Sequence, residues 1–177
     1  MRPVVGVALE LVAMVGVLTA AGLLVGWHPL SILVVLAAQA VTTVLIHCPA
    51  HYVVGRALGI RFSRIRLGRS TMGGALPGPL RRVGALMVVF SLSVDPASKQ
   101  SVPRGRLRLM YLSGVAASVS SAFALAAAFT LVGDAFAAPV AWLFALAYLA
   151  TDVALSPKAG DVSRARATQS PPLLLHK

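Results

Sequence analysis

Long apolar runs alternate with short polar or basic stretches along this chain of 177 residues. A helix needs about 20 predominantly apolar residues to cross the hydrocarbon core of a bilayer. Four runs reach that length, at residues 4–26, 30–58, 107–132 and 136–155. The pattern predicts an α-helical membrane protein with four transmembrane helices. We expect a single membrane-embedded domain over residues 1–166 and a disordered tail at 167–177.

The segment between the second and third runs, residues 60–106, has a different pattern. Arginines alternate with apolar residues over 61–67, which is typical of a strand with two unlike faces. A Gly/Pro-rich patch at 73–79 breaks any helix there, and the apolar run at 83–94 is too short to cross a bilayer as a helix. We therefore predict a small β-containing insertion between helices two and three.

Composition and charge support a lipid environment. Hydrophobic residues make up 58% of the chain and charged residues 12%, with a mean hydropathy of +0.84, which is too apolar for an ordinary soluble domain. The net charge of +11 comes from basic residues that flank the apolar runs. Anionic lipid and membrane topology explain this distribution better than nucleic acid does. We expect the lipid bilayer as a partner and no nucleic acid.

The Lys and Arg residues also predict an orientation. Eleven of the 16 lie between residues 56 and 108, four follow residue 157, and one is Arg2. The turns around Trp27 and Asp134 carry none. The positive-inside rule then places both termini and the insertion in the cytoplasm. We expect a multi-pass protein of the cell membrane.

Two histidines follow the charge-free part of the second run. His47 and His51 are four residues apart, so they share one face of a helix and can bind one metal ion. On the same membrane side, Asp152 and Asp161 each offer a carboxylate. Two histidines and one carboxylate are a common catalytic zinc set that leaves a position for water, whose pKa zinc lowers to roughly 7. The alternative is a pair of interfacial histidines that only contact lipid headgroups.

The order of these features resembles the site-2 protease family of intramembrane zinc metalloproteases. His47 and His51 are similar to the two histidines of that family's His-Glu-x-x-His helix, and residues 60–67 resemble its strand region. The stretch 112–116 resembles the start of a later helix in that family, which is rich in small residues. The proline and the Gly-Asp pair within 157–161 resemble the family's final motif.

The resemblance implies a site and an activity. His47, His51 and Asp161 would hold Zn²⁺, with Asp161 favoured over Asp152 by the family's motif order. The chain would be a zinc metalloendopeptidase-like enzyme that cleaves membrane-embedded proteins or peptides. The strand near 62–67 would present an edge to an extended substrate, because a helical peptide hides its carbonyl groups.

One position departs from the family. Cys48 stands where the family has its general base, a glutamate, and a thiol with an ordinary pKa near 8.5 is a poor substitute for a carboxylate. Glu10, the only acid of the first run, is a second candidate, since it also lies near the cytoplasmic side. Either Glu10 and Cys48 are catalytic residues of an active enzyme, or the chain is a non-catalytic pseudoprotease that binds or scaffolds membrane proteins. A small buried residue is a further interpretation of Cys48.

Overall fold

The computed structural model describes residues 1–24, 31–69, 88–158 and 160–168. Within these ranges the chain is mostly helical. In chain order the elements are α1 (Pro3–Leu24), α2 (Ser31–Leu45), α3 (His47–Ala57), β1 (Phe62–Arg69), β2 (Val88–Val94), α4 (Pro96–Ser101), α5 (Arg104–Val132), α6 (Ala137–Leu155) and α7 (Asp161–Ala167).

Four helical segments are long and apolar enough to cross a membrane. They are Pro3–Leu24, Ser31–Ala57, Arg104–Val132 and Ala137–Leu155. Large apolar side chains such as Val12, Leu131 and Leu143 lie exposed on their outer faces, as expected for surfaces that meet lipid rather than water. The expected architecture of four such helices and a small strand-containing insertion is confirmed, and these helices suggest a multi-pass membrane protein.

The second apolar run is interrupted at one residue. The sequence predicts one segment over 30–58, whereas the structure has α2 and α3 joined at Ile46, which together form a span of 27 residues. Pro49 has no N–H group, so the carbonyl of Leu45 loses its helical partner at this point. Hydrogen bonding resumes at once, because the N–H of Ala50 donates to the carbonyl of Ile46 at 3.1 Å. His47 and His51 therefore lie in the first two turns of a new helix.

The long helix α5 is the centre of the bundle and packs against α2, α3, α6 and α7. The fully buried centre of its interface with α6 contains small side chains, because Ala122 and Ala126 share one cluster with Ala141 and Ala145. Small residues let helix backbones approach closely where no water is available to drive association. Gln39 of α2 stabilises this interface, because its Nε2 donates hydrogen bonds to the carbonyls of Ala122 at 3.2 Å and Ala141 at 3.4 Å.

The insertion contains an antiparallel pair of strands, β1 and β2. Ile65 pairs with Leu92 and Leu67 pairs with Phe90. The strand predicted around 62–67 is present, and the apolar run predicted at 83–94 contributes β2 at its end. The Gly/Pro-rich patch at 73–79 lies outside the described residues. The hairpin packs on the bundle, with β1 against α1 and β2 against α3.

Two short helices were not expected from the sequence. The Asp95-Pro96 pair predicts a turn, but Asp95 caps α4 instead by accepting a hydrogen bond from the N–H of Ala97 at 3.0 Å, with Pro96 in the first turn. The basic segment after Ser156 forms α7, which packs on α5 and ends at Ala167. The predicted tail thus begins inside a helix at its first residue, and from residue 169 it lies outside the described residues.

Candidate metal centre

His47 and His51 lie on the face of α3 that packs against α5. Four residues of helix bring their rings together edge to face, with centroids 4.7 Å apart and planes at 90°. Their Nε2 atoms lie 3.2 Å from each other. His51 is buried, whereas the His47 side chain remains 30% exposed, so the pair is reachable from the His47 side.

The third group comes from the other end of the chain. Asp161 is the first residue of α7, and its Oδ2 lies 2.7 Å from Nε2 of His47 and 3.1 Å from Nε2 of His51. Gly160 turns the chain into this position with a φ of 139°, a conformation that residues with a Cβ rarely adopt. The glycine before the aspartate is therefore what aims this carboxylate at the histidines.

The outer nitrogen of His47 is fixed by Ser118. The Ser118 hydroxyl donates its only proton to the carbonyl of Thr43 at 2.7 Å. Its oxygen, 3.1 Å from Nδ1 of His47, must then accept, so Nδ1 carries a proton. This arrangement leaves Nε2 of His47 as the atom with a free electron pair in the neutral ring.

The same tautomer follows for His51. Its Nδ1 lies 2.6 Å from the carbonyl oxygen of Met110, which can only accept, so Nδ1 is the protonated nitrogen. Gly114, one turn further along α5, makes room for the ring, because a Cβ at that position would overlap the imidazole. Both histidines thus present Nε2 to the same point in space.

Three electron-pair donors therefore converge without a proton among them when the histidines are neutral. Two of the three spacings, 3.1 and 3.2 Å, are close to the roughly 3.3 Å that separates neighbouring ligands in a tetrahedral zinc site, and the third, 2.7 Å, is shorter. Among the described residues, these are the three that could jointly hold a metal ion. Hydrogen bonds from the outer nitrogens to a hydroxyl and a carbonyl are typical of metal-bound histidines. The three side chains therefore form a possible metal site.

The electrostatics of Asp161 support its role as an anionic group. Burial alone would raise the pKa of its carboxyl, but hydrogen bonds with His47 and His51 outweigh burial and hold the pKa below the ordinary 3.8. Its second oxygen, Oδ1, accepts from Arg164 at 3.1 Å. A hydrogen bond at this point needs a proton on the donating nitrogen, and a bound cation would take the place of that proton.

The other candidate residues lie outside this cluster. Asp152, the alternative third ligand, is half-buried in the last turn of α6 and is not within ligating distance of the three groups. Cys48 is buried, and its thiol donates to the carbonyl of Phe90 in β2 at 3.0 Å. Glu10 is 1% exposed in α1, and neither of its carboxyl oxygens has a hydrogen-bond partner among the described residues.

Several supporting groups were not foreseen from the sequence. Ser118 and Gly114 belong to a stretch of small residues that predicts close helix packing. Nothing in the sequence distinguishes these two from their small neighbours. Arg164 and Arg166 together predict a basic strip that faces lipid headgroups. In the structure, however, Arg164 contacts Asp161. The carbonyl of Met110 carries no sequence signal at all. An i to i+3 pairing of Asp161 with Arg164 was the one clue available.

Comparisons with protein-family models, with curated proteins and with solved structures found no match for this chain.

Proposed function

We propose that this chain is a zinc-dependent intramembrane metallopeptidase similar to the site-2 protease family. One observation carries the proposal: the Nε2 atoms of His47 and His51 and the Oδ2 atom of Asp161 meet within 3.2 Å of one another. A zinc ion held there would supply a Lewis acid that polarises a peptide carbonyl and acidifies a water molecule.

The depth of the centre fits cleavage inside a membrane near its cytoplasmic face. The carbonyl that orients His51 belongs to Met110, six residues after Arg104, the first residue of the span. At 1.5 Å per residue the centre lies about 9 Å along α5 from that basic end. Because basic residues cluster at this end, the positive-inside rule predicts that it lies on the cytoplasmic side, together with both termini.

The hairpin beside the site supports binding of an extended substrate. β2 packs against α3, and the Cys48 thiol bonds to the Phe90 carbonyl, so β2 lies next to the residue that follows His47. Apart from the Ile65 N–H, which donates to Met1, and the Phe90 carbonyl, main-chain groups at the edges of this two-stranded sheet can pair with an opened segment of a membrane peptide. In this proposal the hairpin aligns that segment with the metal.

The proton acceptor in this proposal is Glu10. A carboxyl buried in a bundle without a partner is costly, and such groups usually serve a function in a membrane. The helix that carries it packs against α3, and the Cys48 sulfur lies within electrostatic range of the carboxyl groups of Glu10 and Asp161. Glu10 would take the proton from the attacking water, and Cys48 would hold the hairpin in place.

One contact favours a second function. The thiol of Cys48 donates its hydrogen bond to the Phe90 carbonyl. The residue at the position of the site-2 protease family's general base therefore packs α3 against the hairpin here. A chain that kept the metal but lost the proton acceptor would be a pseudoprotease that binds or scaffolds membrane proteins. The metal centre would then stabilise the fold and would not cleave peptides.

The experiment is metal analysis and peptide cleavage on the same purified protein. The full chain is reconstituted with zinc, stripped with a chelator and reloaded, and each form is incubated with a library of membrane-spanning peptides. His51→Ala is the test variant, and His28→Ala is the control because it removes a histidine outside the proposed set. Zinc-dependent cleavage that is lost only in His51→Ala supports the peptidase. Stoichiometric zinc without cleavage favours the pseudoprotease, and absence of bound zinc contradicts both.

A further inference from the structure

A cavity of about 410 Å³ lies at the basic end of α5, next to the metal centre but distinct from it. Its walls come from three elements: α4 contributes Lys99, α5 contributes Arg104 and Tyr111, and Arg164 comes from α7. The volume lies within the range of small-ligand sites. None of the three metal-binding candidates lines it.

The charge of the cavity is one-sided. Three cationic side chains from three separate elements line it, and among the described residues that do so none is acidic. Arg164 donates from one nitrogen to Oδ1 of Asp161, and its side chain is still 53% exposed. A guanidinium has five N–H donors, so this one bond leaves others for a ligand.

The depth of the cavity indicates which anion it meets. Arg104 is the first residue of the α5 span, while Tyr111 lies two turns further in. This level corresponds to the interfacial layer of a bilayer, where lipid phosphates lie. Basic pockets between transmembrane helices on the cytoplasmic side are known to bind anionic headgroups.

We propose that this cavity, lined by Lys99, Arg104 and Arg164, binds an anionic phosphate group. Arg is suited to phosphate because its planar fork can donate two parallel hydrogen bonds, and Lys adds a point charge. The Tyr111 hydroxyl at the inner end can donate a further hydrogen bond. A lipid headgroup and a soluble phosphate offer the same chemistry, so the test must separate these two sources.

The experiment measures binding by the full chain in discs of neutral phosphatidylcholine. One arm adds inorganic phosphate to the solution, and the other replaces part of the lipid with phosphatidic acid. The test variant is Lys99→Ala/Arg104→Ala, which spares Arg164 and its bond to Asp161. The matched control is Arg64→Ala/Arg66→Ala on β1, which removes the same charge from exposed positions of the hairpin. Lys99→Arg retains the charge and reports on the site if the alanine variant unfolds.

The proposal predicts that affinity for one or both probes falls about tenfold or more in the cavity variant and stays within about twofold in the control, because charge-assisted hydrogen bonds are lost only in the former. Lys99→Arg should bind like the unmodified chain. Binding of phosphatidic acid alone identifies a lipid site, and binding of both probes identifies a site for phosphate itself. Equal losses in the two double variants, or no binding of either probe, would overturn the proposal.

Discussion

The ring of His51 lies directly against the backbone of Gly114 on the facing helix, in space that a single methyl group at residue 114 would occupy. The adjacent carbonyl of Met110 accepts the hydrogen bond from Nδ1 of the same ring. Helix α5 thus holds one candidate ligand by both shape and hydrogen bonding. The position of Nε2 in the centre depends on this contact.

Gly114→Ala should therefore displace His51 and weaken metal binding. We expect the affinity for zinc to fall about tenfold or more, because the ring must move by more than the tolerance of a preorganised site. Gly105→Ala is the matched control, since it makes the same change in the same helix and meets open space. Zinc titration of both variants checks this. An unchanged affinity in Gly114→Ala would show that the contact does not position the ring.

Ser118 fixes the tautomer of His47, so removing its hydroxyl should lower the zinc affinity although Ser118 is not itself a proposed ligand. In Ser118→Ala the Nδ1 proton loses its acceptor and the ring can rotate, so we expect a 10- to 100-fold loss of zinc affinity, as for other outer-shell partners of metal-bound histidines. Ser121→Ala is the control, because that hydroxyl donates only to the Ser118 carbonyl. Equal zinc affinities in the two variants would remove Ser118 from the account.

Glu10 should be needed for turnover and not for metal binding. In Glu10→Gln we expect cleavage to fall about 100-fold or more with zinc content unchanged, which is the usual range for loss of a general base. Full activity in Glu10→Gln would assign the proton transfer elsewhere.

Much of this architecture could be predicted because a helix that can cross a bilayer needs a long apolar run, and such a run is visible in a sequence. The four apolar runs indicated the four long helices, and the alternation at 61–67 indicated β1. The break at Ile46 could not be placed to one residue, although Pro49 signals it. The short helices α4 and α7 were missed because each depends on a local cap or turn, at Asp95 and Gly160, rather than on hydrophobic periodicity.

Only those residues of the candidate centre that are common metal ligands could be predicted from the sequence. His47, His51 and Asp161 are of residue types that bind metals, and the histidine spacing together with a shared predicted membrane side indicates a site without any knowledge of distances. Ser118 and Gly114 act through the face of α5 that meets α3, and the rotation of a helix follows from packing with all its neighbours. The sequence therefore pointed to the ligands and not to the groups that orient them.

The zinc content of the purified chain, compared with that of two aspartate variants, tests most directly whether His47, His51 and Asp161 share one ion. If they do, we expect about one zinc per chain in the unmodified protein and in Asp152→Ala, with most of that zinc lost in Asp161→Ala after identical dialysis. Retention of zinc in Asp161→Ala, or equal loss in the two variants, would contradict this expectation.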